Sequence, residues 1–141
     1  MIYRNIGLSL GIALASALAW SSAVSAYHSY VLNVAQLRAG LEKASSGTKE
    51  FFLIDVRSPE EHAAGVIPGT DLNIDFRDMK TRHREIGAKP DDHIVVYCQS
   101  GHRSNIAAET LADLGYRHVY NVSGSMNAWV GAGYPVQPAQ R

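Results

Sequence analysis

The 141-residue chain has a single cysteine, Cys98, and no net formal charge, with 13 Lys and Arg against 13 Asp and Glu. One thiol excludes an internal disulfide framework and any Cys-rich zinc or iron–sulfur site. Charge balance removes the basic excess that a phosphate-neutralising nucleic-acid binder needs. Five prolines and 12 glycines are scattered, without the period of a fibrous repeat. Charged residues make up only 18% of the chain, yet 46% is hydrophobic, too much for a disordered tail. The histidines lack metal-ligand spacing, so neither a metal nor another cofactor is expected. What remains is one globular domain's worth of chain.

No apolar run reaches the ~20 residues of a membrane span. The stretch from Ile6 to Trp20 follows a lone Arg4 and gives way to Ser21-Ser22-Ala23-Val24-Ser25-Ala26. A positive start, an apolar middle and a small-residue exit are the order of a secretory signal peptide. Residues 1–26 are therefore expected to be cleaved near Ala26, leaving 27–141 as a periplasmic domain with no membrane attachment. In an oxidising compartment an unpaired cysteine is a liability. A leftover cysteine in an exported chain thus flags a working thiol.

Along residues 27–141 strand and helix signals alternate. Asn33 reads as the N-cap of a helix with Val34, Leu37, Leu41 and Ala44 on one face. Phe51 to Val56 is an almost unbroken apolar run, the mark of a strand buried on both faces. Ser58-Pro59-Glu60-Glu61 is a capping box that opens a short helix. A turn at Ile67-Pro68-Gly69-Thr70 leads to a short strand over Leu72–Ile74, and a helix is expected from Asp75 to Ile86. His93 to Tyr97 is a second buried strand. Ser104 to Leu114 reads as a helix, with Ile106, Leu111 and Leu114 inward and Gly115 as its stop. A strand at His118–Val122 and a short helix near Met126–Val130 close the pattern. Strands separated by helices imply right-handed crossovers. The expected fold is α/β, three layers, with a mainly parallel sheet.

Cys98 ends the second buried strand, and the segment Cys98-Gln99-Ser100-Gly101-His102-Arg103-Ser104 runs into the next helix. Open parallel sheets carry their sites beyond the carboxyl ends of the strands. A tight loop entering a helix N-terminus aims several N–H groups at one point, with the positive end of the dipole behind them. A thiol there is expected to ionise more readily than a free one. Gly101 permits the turn, and Arg103 adds a fixed positive charge with a fork of donors. Such a cradle favours an anionic sulfur substrate. His102, with no placed acid partner, reads as a loop donor or a solvent-facing side chain rather than a general base. The basic run Arg77, Lys80, Arg82, His83 and Arg84 is interleaved with Asp78 and Glu85, the pattern of a solvated helix face; steering of an anion is the alternative.

Three segments together resemble a single-domain rhodanese of the exported bacterial type. They are Asp55-Val56-Arg57 followed by Glu61, the loop C-x-x-G-x-R-S from Cys98 to Ser104, and Gly124-Ser125-Met126-Asn127-Ala128-Trp129, where Ser125 replaces the second glycine of the family's "GG-x-x-x-W". Val66 stands where that family usually has a histidine. The resemblance implies a rhodanese-like fold and a sulfurtransferase with Cys98 as nucleophile. Thiosulfate would be the donor, and cyanide or a small-molecule or protein thiol the acceptor. It further implies substrate binding by Gln99, Ser100, Gly101, His102, Arg103 and Ser104, with Asp55 and Arg57 supporting the site. Two rivals remain. A cysteine phosphatase or arsenate reductase would have five residues between Cys and Arg, whereas four separate Cys98 from Arg103. A persulfide carrier would load one sulfur and stall.

Overall fold

The computed structural model describes residues 30–140, so the expected signal segment lies outside the described residues. Five strands form one sheet: β1 (Val31–Leu32), β2 (Phe51–Asp55), β3 (Leu72–Asn73), β4 (His93–Tyr97) and β5 (His118–Val122). Their spatial order is β1-β5-β4-β2-β3 and every pairing is parallel. Helices α1 (Val34–Ser45), α2 (Pro59–Ala64), α3 (Met79–Arg82) and α4 (His102–Asp113) lie in the connections, and α5 (Ser125–Gly131) follows the last strand. The α/β architecture with a central parallel sheet is the one expected.

The period-2 alternation of β2, β4 and β5 divides the core between the two faces. Ile54, Ile94, Val96 and Val119 pack with Ala107, Ala108 and Leu111 of α4 and with Met79 and Ile86. Leu53, Val95, Tyr97 and Val122 pack with Leu37 of α1 and with Met126 and Trp129 of α5. Each such buried side chain contributes roughly 1.5–3 kcal/mol through burial. Cys98 continues the α4 side of the alternation and is fully buried.

Local signals act as anticipated at two starts. Asn33 and Gln36 close a capping box on α1, and Ser58 with Glu61 closes one on α2. Elsewhere the structure corrects the expectation. Asp75–Ile86 is not one helix but a 3-10 turn (Phe76–Asp78), the single turn of α3 and a second 3-10 turn (His83–Ile86). Phe76, Met79 and Ile86 pack against the core, but Asp75 turns its carboxylate onto the Arg77 N–H at 3.0 Å. That side-chain bond starts a short 3-10 turn in place of a continuous helix. Helix α4 starts at His102, two residues early. It buries Ser104, Ala107, Ala108 and Leu111 while Leu114, expected inward, is 38% exposed. Small residues let α4 lie close to the sheet, and that contact sets its rotation.

Candidate active site

Cys98 follows the last residue of β4, and Gly101 precedes α4 with φ +104°. A Cβ on Gly101 would stand 3.4 Å from Gly124 N and 3.5 Å from Val122 O. Those are ordinary van der Waals contacts; it is the left-handed backbone that calls for glycine. The turn folds the loop back over the sulfur: Gly101 N–H donates to Sγ at 3.1 Å, and the Ser104 hydroxyl lies 3.3 Å from it. Burial pushes the Cys98 thiol up. The Ser104 hydroxyl and the N–H groups of Ser104, Gly101 and Ser100 pull it down further, and the net position lies below the ordinary thiol value. Sulfur is thus held as a readily ionised group at the foot of the loop, while Ser100 and His102 stand exposed on its rim.

Beneath the thiol lies a buried polar cluster with no orphaned atoms among the described residues. Ser104 Oγ sits 2.7 Å from Asn121 Oδ1, and Asn121 Nδ2 donates to Gly101 O at 3.2 Å. Ser104 has one hydroxyl proton for Asn121 and for Sγ, so a bond to the thiolate draws it from the amide oxygen. Ser125 Oγ donates to Val122 O at 2.8 Å and accepts the Cys98 N–H at 3.1 Å. Two further N–H groups of α5 reach the loop: Met126 donates to Cys98 O (3.1 Å) and Asn127 to Gln99 O (2.9 Å). The Gln99 side chain donates to Asn127 Oδ1. Neither Asn121 nor the start of α5 was singled out as part of the site from sequence. The one signal was Ser125, whose substitution for glycine was visible but whose contact was not.

Arg103 is placed differently from the expectation that its fork would serve the cradle. Its NH1 and NH2 donate to the two Glu61 oxygens at 2.7 and 2.8 Å, bracing α4 against α2. The pair holds the Glu61 carboxyl down at about 2 and raises Arg103 above its ordinary value. Arg103 remains within Coulombic reach of Cys98. Glu61, read from sequence as a capping residue, therefore has two duties.

Asp55 and Arg57 form a buried bidentate pair, 2.9 and 2.7 Å, and Arg57 also donates to Gly65 O at 2.6 Å. Burial lowers the Arg57 guanidinium, but its bonds to Asp55 outweigh that and leave it raised. His62 Nδ1 lies 3.0 Å from Asp55 Oδ2. The pair stands beside β4, where Asp55 is in register with Tyr97 and the Val56 N–H donates to Tyr97 O. Val66, in the histidine's place, is buried and pairs through its backbone with Gln137 near the carboxyl end. Of the basic run, Arg77 is paired with Asp75, Arg82 with Glu85, and His83 with the Tyr116 hydroxyl. Two of the five basic residues are thus neutralised by a neighbouring acid. Among the described residues no group of three or more His, Cys, Asp or Glu could hold a metal.

A lone thiol at the carboxyl end of a parallel strand, ringed by N–H groups, defines a domain that handles its substrate on sulfur. The chain belongs to the rhodanese-like family, whose model matches residues 33–132. It is 35% identical over 96 residues to a sulfurtransferase of Allochromatium vinosum, covering 68% of this chain and 87% of that protein. It is 37% identical over 71 residues to the thiosulfate sulfurtransferase PspE of Escherichia coli, covering 50% of this chain and 67% of that one. A rhodanese-related protein from Thermoplasma volcanium superposes with a TM-score of 0.61 at 30% identity, covering 77% of this chain and 97% of that chain. These relatives support sulfur transfer as the general activity, with a sulfur donor and a thiol acceptor.

Proposed function

We propose that the protein is a thiosulfate sulfurtransferase that carries the moving sulfur as a Cys98 persulfide. The observation behind this reading is the Cys98 Sγ held by the Gly101 N–H and the Ser104 hydroxyl. In the first half-reaction the thiolate attacks the outer sulfur of thiosulfate. A bond forms between Sγ and that sulfur, the S–S bond of thiosulfate breaks, and sulfite leaves with its electron pair. The terminal sulfur keeps one negative charge, which the loop N–H groups from Gln99 to Arg103 and the start of α4 face. In the second half-reaction cyanide or a thiolate attacks that sulfur and departs as thiocyanate or a persulfide, regenerating the Cys98 thiolate. Ping-pong kinetics follow.

Four residues between Cys98 and Arg103 favour a single sulfur atom over a phosphoryl group, and the thiosulfate sulfurtransferase among the relatives favours the donor. Residues 1–26 act as a cleaved signal peptide in this reading, and the domain works in the periplasm. N-terminal sequencing of the exported protein is expected to begin near Tyr27; an intact Met1 would reject cleavage.

Intact-mass spectrometry tests the chemistry. Thiosulfate is expected to add about one sulfur mass, which cyanide removes and Cys98→Ala never acquires. No gain on the wild type, or Cys98-dependent hydrolysis of p-nitrophenyl phosphate without thiosulfate activity, overturns the reading. Thiocyanate release that stops after one turnover identifies a carrier instead.

A further inference from the structure

Ser125 occupies a position that ordinarily belongs to glycine. Its φ is +45°, and it is the one non-glycine residue with positive φ among the described residues. It is also fully buried. Left-handed backbone is unfavourable for serine, and its persistence indicates that something around it holds it there. The hydroxyl's contacts show what that is.

In β5 the odd residues face β1, since Asn121 and Ser123 donate to Tyr30 and Leu32. Val122 therefore faces β4. In β4, Tyr97 faces β2, accepting from Val56, so Cys98 faces β5. With Val96 paired to Asn121, the next rung of a parallel ladder would join Cys98 N–H to Val122 O. That rung is not made directly. Ser125 Oγ stands in it, accepting from Cys98 and donating to Val122. The hydroxyl parts the two strands by one oxygen where the loop begins, and the Met126 and Asn127 N–H groups grip the next two carbonyls.

We propose that Ser125 is a positioning residue for the nucleophile: its hydroxyl, spliced into the β4–β5 ladder, sets where the Cys98 Cα stands and so the distance from Sγ to the loop donors. The sulfur-transfer part of this inference rests on the function proposed above, but the placement of the thiol does not. Other charges around Cys98 are accounted for. From α4 comes Arg103, held by Glu61 of α2 and within Coulombic reach of Asp75. From the end of β2 and the bend after it come Asp55 and Arg57, paired with each other. Helix α5 carries no ionisable side chain.

The test compares Ser125→Gly and Ser125→Ala with the wild type in three measurements: thermal unfolding, the pH midpoint of Cys98 alkylation by iodoacetamide, and steady-state thiocyanate formation. Both variants remove the partner of the buried Cys98 N–H and Val122 O, but only glycine also relieves the backbone, so glycine is expected to melt above alanine. Both lose the hydroxyl, so both are expected to move the alkylation midpoint upward. Both are also expected to lose about tenfold in kcat, with the thiosulfate KM changing less than twofold. A midpoint that follows the melting temperature instead of the hydroxyl overturns the proposal, as does a glycine variant with the wild-type midpoint. If the wild type makes no thiocyanate the proposed activity fails, and the alkylation midpoints alone still decide the role of Ser125.

Discussion

The Cys98 sulfur is governed by opposing effects of similar kind, burial against a set of short-range donors. Ser104 supplies the largest of the lowering contributions and is the simplest to remove. Ser104→Ala is expected to raise the alkylation midpoint and to shift the rising limb of the pH–rate profile to higher pH. The sign follows from the state that reacts: activity grows as pH climbs through the thiol's lowered pKa, because the thiolate is the nucleophile. An unshifted limb would mean that the N–H groups alone hold the charge. Arg57 is a second residue whose loss is readable. Arg57→Met leaves the buried Asp55 carboxylate without its bidentate partner, and a loss of about 3–5 kcal/mol is expected in urea unfolding. A loss under ~1 kcal/mol would show that His62 suffices as partner. The resemblance placed Asp55 and Arg57 near the site from their motif alone. Their mutual contact and the bond to Gly65 needed the folded chain.

Between elements, the bracing pair is Glu61 of α2 with Arg103 of α4. Glu61 titrates at about 2 in the folded chain against an ordinary 4.5. A lowered acid contributes stability that is complete above the unfolded value and lost as pH falls through the folded one. The contribution therefore fades between pH 4.5 and 2. About a third of each side chain is exposed, so it is worth no more than about 1 kcal/mol. Glu61→Gln is expected to flatten stability over that window, read by thermal melts at successive pH values; an unchanged slope would exclude the pair as its source. The start of α5 is the second such joint. Gly124 has φ +68°, and a Cβ there would fall 2.6 Å from the Ala128 Cβ. Gly124→Ala is expected to cost about 1–3 kcal/mol, and to slow turnover with it, because α5 would shift away from the Cys98 and Gln99 carbonyls. Full activity at reduced stability would separate α5 from the site.

Across the whole molecule the single thiol has no partner in its own chain and lies fully buried. A disulfide between two copies needs the two Cα atoms within roughly 7 Å, a separation the loop and α5 prevent while the fold is intact. Diamide treatment is expected to leave the native protein monomeric on a non-reducing gel and to yield a covalent dimer only when urea is present. A native covalent dimer would mean that the loop opens far enough to expose Cys98. The parallel sheet is what makes this burial possible, since its strands are covered on both faces and end together at the edge where α4 and α5 begin.

Local chemistry was enough to determine the α/β alternation, the caps at Asn33 and Ser58, the two buried strands and the loop from Cys98 to Ser104. Each rests on the spacing of nearby side chains, which acts before distant parts of the chain meet. Long-range contact decided the rest: the strand order, the turn of Arg103 toward Glu61, and the serine hydroxyl between β4 and β5. Those depend on pairings between residues as far apart as Glu61 and Arg103, and no local propensity encodes which of several partners such a group will find once the sheet has closed.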